Sequence, residues 1–155
     1  MSSTRAPQLN EPFDVQVDRW VKKAKTKATQ AYQATALLAL ARVQQLTPVD
    51  TGNLRAHWTI SLTPEIAVGR DQTPFEVVAH LNVGQPFYIV NPVVYARRIE
   101  YGFVGEDSLG RHYDEKGRHM MEQTIAEMPI IAQVATQWVI DGHNPYSIGM
   151  APASF

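Results

Sequence analysis

The chain of 155 residues contains no cysteine, which excludes a disulfide scaffold, a thiolate zinc site and a cysteine nucleophile. No apolar run approaches the length that a membrane-spanning helix needs, and the polar first eleven residues do not resemble a secretion signal. Glycine-rich phosphate loops and the Gly-x-Ser-x-Gly turn of serine hydrolases are also missing. We therefore expect a soluble protein made inside the cell, without catalytic activity, cofactor or membrane contact.

An excess of one charge sign is missing too, since 14 basic and 15 acidic side chains give a net charge of −1. The charges are unevenly placed, however, because residues 1–47 hold seven basic and only three acidic residues. A chain with one positive and one negative end is suited to head-to-tail association with copies of itself or with a neighbour. Five clustered basic residues are candidate contacts to a partner or, without sequence specificity, to DNA: Arg19, Lys22, Lys23, Lys25 and Lys27. The alternative is a solvated helix face.

A long helix dominates the first third of the chain. Apolar and small residues recur there at steps of three and four, and the pattern predicts a helix over residues 14–46. Asp14 is expected to cap its start, and Thr47-Pro48 ends it because the residue before proline avoids the α region. At about 1.5 Å per residue the rod is about 45 Å long, too long for so small a domain to cover. Part of it should pack on another subunit.

The remaining elements are shorter. Alternating or apolar runs predict strands over residues 57–62, 75–83 and 85–91, and a short helix is expected over residues 95–101. Residues 103–117 are expected to form a loop. A final helix over residues 118–140 is expected to place Ile125 on its apolar face, to bend or break at Pro129 and to end at Gly142.

The order of these elements predicts an α+β fold, in which a long N-terminal helix and a C-terminal helix pack on a small, mostly antiparallel sheet. Residues 1–142 form one domain in this interpretation. Residues 1–12 would be a flexible arm of that domain. Residues 143–155 would form an apolar C-terminal extension that docks on something.

One segment offers metal-binding chemistry. Imidazole and carboxylate groups of the kind that bind divalent metals occur within eight residues: His112, Asp114, Glu115 and His119. A small metal-dependent enzyme or nuclease is therefore the alternative from a different functional class. Lys116 and Arg118 lie among these ligands and would repel a cation, and the spacing is not the fixed offset of a helical zinc motif. We expect a solvated loop and no metal.

Two stretches carry more specific patterns. Residues 47–55 read Thr-Pro-Val-Asp-Thr-Gly-Asn-Leu-Arg, between the long helix and a strand, and residues 91–102 read Asn-Pro-Val-Val-Tyr-Ala-Arg-Arg-Ile-Glu-Tyr-Gly, before the closing helix. In this order the two motifs resemble the tail-completion or head–tail joining proteins of long-tailed bacteriophages (the HK97 gp10-like family). The resemblance covers residues 14–140. The motif residues are Pro48, Asp50, Thr51, Gly52, Leu54, Tyr95, Ala96, Glu100, Tyr101 and Gly102.

Physical roles can be assigned to several of these residues. Asp50 is expected to accept backbone N–H bonds in a turn, and Gly52 to supply a positive φ. Leu54 would anchor the turn to the core. Glu100 is expected to pair with Arg97 or with a neighbouring subunit.

The resemblance implies a structural virion protein, located in the neck or tail and made in the bacterial host cytoplasm. Such a protein completes the tail and joins it to the head as a ring, with six copies expected. Its neighbours would be a connector or head-closure protein, a tail terminator and the tail tube, and genomic DNA would pass through the channel. A tail terminator or head-closure protein fits the same description. The free protein is expected to be largely monomeric, because segments that order only on assembly keep premature association weak.

Overall fold

The computed structural model describes residues 11–49, 52–64 and 72–150, without the side chains of residues 149 and 150. Two residues of the first motif, Asp50 and Thr51, lie outside this range, as do residues 1–10 of the expected arm. The described part of the chain is a mixed α and β fold, as predicted.

Five α-helices and a 3-10 helix are present in the described ranges. They are α1 (Phe13–Leu46), α2 (Asn53–Ala56), α3 (Pro74–Ala79), α4 (Ala96–Tyr101), α5 (Met120–Ile140) and the 3-10 helix (Pro145–Met150). Two antiparallel strand pairs accompany them. The strands are β1 (Thr59–Ser61), β2 (Tyr88–Val90), β3 (Gly102–Glu106) and β4 (His112–Lys116). Ile60 pairs with Ile89 in β1–β2, and Val104 pairs with Asp114 in β3–β4.

Helix α1 has two halves with different surroundings. Residues 33–40 are buried on every side, whereas residues 12–20 and 22–28 are exposed. The helix ends at Leu46, as the Thr47-Pro48 sequence predicted. Its start differs from the prediction, because Pro12 occupies the N-cap position and no side chain caps the helix. Asp14 was expected there but lies within the first turn, where its charge acts on the helix dipole.

Helix α5 packs antiparallel to the second half of α1. Arg42 contacts Glu127 near the start of α5, and Gln33 of α1 contacts Tyr146, which follows its end. The residues of α5 that are buried are Met120, Thr124, Ile131, Ala135 and Val139. The prediction for Ile125 was wrong, since this side chain is 62% exposed. Thr124 occupies the buried position instead, because its hydroxyl donates to the Met120 carbonyl at 2.7 Å and is thereby satisfied.

The prediction of a strand over residues 75–83 is wrong, since residues 75–79 belong to helix α3 and residues 80–83 to no helix or strand. Thr73 and Glu76 form a reciprocal capping box: the Glu76 carboxylate accepts from the Thr73 N–H at 2.9 Å, and the Thr73 hydroxyl accepts from the Glu76 N–H at 3.3 Å. Pro74 follows the cap, where its fixed φ favours a helix start. These local signals outweigh the β-branched residues that suggested a strand.

The predicted loop over residues 103–117 is also wrong, since β3 and β4 form a hairpin there. The Asp107 carboxylate holds the turn by accepting the backbone N–H groups of Leu109 and Arg111, both at 2.9 Å. These hydrogen bonds lower the pKa of Asp107, and the bond from the Arg111 backbone N–H has the largest effect. The strand residues are largely exposed, so the hairpin carries little of the hydrophobic alternation by which strands are recognised.

The described part of the predicted C-terminal extension, residues 143–150, docks on the chain's own helices, while residues 151–155 of that extension lie outside the described range. Helix α5 continues through Pro129 without a break. Gly142 follows the end of this helix and adopts a φ of 85°. Ile148 is fully buried in the core, while the Tyr146 hydroxyl donates to the Gln33 side chain at 3.3 Å. The extension therefore closes the core between α1 and α5.

Candidate functional site

The two motifs, far apart in the chain, meet in the fold. The Asn53 side-chain amide donates to the Tyr95 hydroxyl at 2.9 Å, and the Asn91 amide donates to the Leu54 carbonyl at 2.8 Å. Leu54 is buried and Gly52 has a φ of 76°, both as expected. Each motif thus fixes the position of the other.

Thr47 is a buried polar junction that the sequence showed only as a helix end. Its hydroxyl donates to the Val43 carbonyl at 2.6 Å and accepts the Trp58 indole N–H at 2.8 Å. Its backbone carbonyl accepts the Arg55 guanidinium at 3.0 Å. Thr47 therefore ties the end of α1 to the chain segment entering β1. Nothing in the sequence pattern identified Trp58 as its partner.

Glu100 has a different role from the one expected. Its carboxylate is 6% exposed and accepts the backbone N–H groups of Met121 and Glu122 at 3.1 Å. The predicted pairing with Arg97 is therefore wrong, since the carboxylate is engaged by α5, while the alternative of a neighbouring subunit stays a prediction. The first N–H groups of α5 have no intrahelical partner, and His119, at the N-cap position, provides no side-chain cap. Glu100 supplies that cap from α4.

Two glycines, Gly102 and Gly117, lie where the backbone after α4 and the backbone after β4 approach each other closely. Gly102 has a φ of 81°, and a Cβ atom there would lie 2.3 Å from the Glu115 carbonyl oxygen. A Cβ atom on Gly117 would lie 2.4 Å from the Glu100 carbonyl oxygen. Gly102, the last residue of the second motif, is therefore required by the crossing of the backbone. Ala96 packs against the core, while Tyr95 and Tyr101 are exposed.

An open groove of about 810 Å³ runs beside the meeting point of the motifs. Pro48 and Val49 line one side, and Arg98, Ile99 and residues 115–118 line the other. Arg98 forms an ion pair with Glu115 at 3.2 Å and lies 4.3 Å from the centre of the Phe103 ring. Lys116 and Arg118 add positive charge. The groove can therefore receive an acidic or polar segment, but its lining offers no nucleophile beside a general base.

The projecting half of α1, residues 13–28, is the second candidate surface. Phe13 is 81% exposed and Trp20 is 70% exposed. Helical spacing places these two side chains on one stripe with Val17 and Ala24, whereas Lys22 lies on the opposite side. The predicted basic contacts, Lys22, Lys23, Lys25 and Lys27, are all exposed. Arg19 is hydrogen-bonded to Glu11, which raises the pKa of Arg19. The cluster surrounds the rod and does not form one basic face.

The histidines of the proposed metal segment do not converge on a site. His112 pairs with Glu106 at 2.7 Å, and His119 pairs with Glu122 at 2.8 Å. Among the residues that the structure describes, no group of three or more His, Asp or Glu side chains is arranged to hold a metal ion. Within the same residues, no helix is long and apolar enough to cross a membrane.

Comparison with known proteins gives no relative: no family model matches the chain, and neither a curated protein nor a solved structure matches it significantly.

Proposed function

We propose that this chain is a structural virion protein of a long-tailed bacteriophage, which completes the tail and joins it to the head as part of the neck. The protein acts by assembly and catalyses no reaction. Several copies, six in the form we favour, make a ring around the DNA channel, in contact with a connector or head-closure protein and with the tail.

The projecting half of α1 is the observation that carries the proposal. A helix of 34 residues is about 51 Å long, and nearly half of it lies outside the core. Large apolar side chains such as Phe13 and Trp20 are costly to leave in water, and contiguous exposed apolar patches typically mark interaction sites. A protein that assembles needs such a surface, whereas a self-contained enzyme does not.

The meeting of the two motifs supports the same proposal. Their residues contact each other through Asn53 and Tyr95, and Glu100 anchors α5. The motifs therefore build a hydrogen-bonded frame beside a basic groove, without forming a catalytic constellation. The function of a joining protein is to present surfaces to its neighbours, and a frame that holds those surfaces in place serves that function.

Electron microscopy of lysates from a phage lacking this gene tests the proposal. Full heads beside separate tails of uniform length are expected, and a plasmid-borne copy of the wild-type gene should restore joined particles. Overlong tails would identify a tail terminator, and heads that lose their DNA would identify a head-closure protein. Intact, infectious particles from the deletion phage would refute a neck role altogether.

A further inference from the structure

We infer that the projecting half of α1 packs on the outer face of α5 of a second copy of this chain. The outer face of α5 is the side turned away from α1, where Ala126, Ile130 and Val134 form an apolar strip beside the exposed Gln133 and Gln137. This inference deepens the proposed function, on which it rests, because it names the two surfaces through which copies in the ring would meet.

The donor surface is an amphipathic rod. Its 16 residues, 13–28, extend about 24 Å, and its apolar stripe contains Phe13, Val17, Trp20 and Ala24. Lys23 and Lys27 lie along one edge of the stripe by helical spacing. Aromatic side chains such as Phe13 and Trp20 are enriched at protein interfaces, and charged side chains such as these lysines belong to the polar rim.

The acceptor surface has matching length and complementary charge. Helix α5 spans 21 residues, about 32 Å, and contains no lysine or arginine. Ile130 is 53% exposed and Val134 is 38% exposed, and helical spacing aligns both with Ala126. Glu122 and Asp141 stand at the two ends of the helix. This face thus offers an apolar strip between carboxylates to a rod that carries lysines.

The contact has to be made between copies. Within one copy, α5 already lies along the second half of α1 and ends near Gln33, so the projecting half extends beyond it. The outer face of α5 also points away from its own α1, since the opposite face carries the buried residues.

Charge argues against two other arrangements. The projecting half holds five basic and two acidic residues, so pairing two projecting halves would bring like charges together. The groove beside the motifs is basic as well, through Lys116 and Arg118. The lysine-free face of α5 is therefore the better partner. Because the donor and acceptor surfaces differ, each copy gives one contact and receives one, and such a head-to-tail contact forms a ring when the rotation between copies closes.

Disulfide trapping tests the contact, and the absence of native cysteine makes the assay clean. Ala24→Cys and Ile130→Cys are made in two versions of the full chain that differ in mass through a tag. Both positions are exposed, so folding should be preserved. The two proteins are mixed, oxidised and separated on a non-reducing gel. Lys22→Cys, on the opposite side of α1, replaces Ala24→Cys as the matched control.

A heterodimer of the Ala24→Cys and Ile130→Cys chains is expected to be the main product. The control pair should give about tenfold less, because a disulfide requires Cα atoms within about 7 Å and Cβ atoms that face each other, whereas the Cα of residue 22 lies about 5 Å farther from the contact with its Cβ turned away. Trp20→Ala in the Ala24→Cys chain should reduce the heterodimer by about tenfold as well, as loss of a central aromatic anchor does.

Three results would overturn the inference: no cross-linked product, equal yields from the control pair, or a dominant Ala24→Cys homodimer, which would indicate symmetric pairing of α1. The deletion phage separates this test from that of the proposed function. If heterodimers are trapped but the deletion phage gives normal particles, the contact between copies stands and the neck role is refuted. If the deletion phage gives separate heads and tails but no heterodimer is trapped, the neck role stands and the proposed contact is refuted.

Discussion

The cap that Glu100 places on α5 gives the sharpest prediction about stability. Its carboxylate accepts two backbone N–H groups, at Met121 and Glu122. In Glu100→Ala both groups lose their partner, and each unsatisfied buried group costs about 1–3 kcal/mol. We expect the free energy of unfolding to fall by about 3 kcal/mol, with partial relief from water at the helix end. For a domain of this size that corresponds to a decrease in Tm of roughly 6–12 °C.

Glu100→Gln separates the charge of the cap from its hydrogen bonds. The amide keeps one acceptor oxygen but loses the negative charge that interacts with the helix dipole, so about 1–2 kcal/mol should be lost. Glu122→Gln is the matched control, because Glu122 lies at the same helix end but is exposed and paired with His119. Its effect should stay within about 0.5 kcal/mol.

Urea unfolding followed by circular dichroism measures all three variants, and the m-value should stay constant if only the folded state is affected. A capping role for Glu100 is refuted if Glu100→Ala destabilises the protein no more than Glu122→Gln does. It is also refuted if Glu100→Gln is as damaging as Glu100→Ala, because the retained oxygen would then contribute nothing.

Two further predictions concern other parts of the frame. Gly102→Ala should lower the free energy of unfolding, measured with urea, by at least about 2 kcal/mol more than Gly110→Ala does. Both glycines have a positive φ, but only at Gly102 would a Cβ atom lie closer than 3 Å to backbone atoms. Equal losses in the two variants would show that this close approach does not matter. The hydrogen bond from Arg42 lowers the pKa of Glu127 from its ordinary value near 4.5. The pKa of Glu127 is lower in the folded than in the unfolded chain. The ion pair therefore stabilises the fold at pH values above the unfolded pKa, and this stabilisation is lost as the pH falls through the folded pKa. Urea unfolding across that acidic range should show a shallower pH dependence for Glu127→Gln than for the wild-type chain, with the lowered pKa of Asp107 retained in both. Parallel pH profiles would contradict this assignment.

Features governed by neighbouring residues were predictable from the sequence. The end of α1 at Thr47-Pro48, the short helix α4 and the alternation of Trp58 and Ile60 about β1 all appear in the structure. The start of α3 is equally local, since Thr73, Pro74 and Glu76 form a capping box, although the apolar run that follows predicts a strand. The exposure of part of α1 followed from length alone, because a rod of that size exceeds the core of so small a domain.

The candidate site was predictable in its residues but not in their roles. The sequence identified Gly52, Leu54, Tyr95 and Glu100 as motif residues, and the structure brings these motifs together. That Glu100 caps α5, instead of pairing with Arg97, depends on where α4 ends relative to a helix that begins twenty residues later. No local pattern encodes this separation.

The sequence was sufficient for features whose causes lie within a few residues, such as the end of α1 at Thr47-Pro48, the positive φ of Gly52 and the short helix α4. It also determined that one end of the chain is basic and that α1 is too long for one domain. Tertiary structure alone decided the partners of Glu100 and Thr47, the backbone crossing at Gly102 and the hairpin of β3 and β4. The physical reason is that a buried polar group must find a partner wherever the fold supplies one, and that partner is set by packing over long sequence separations.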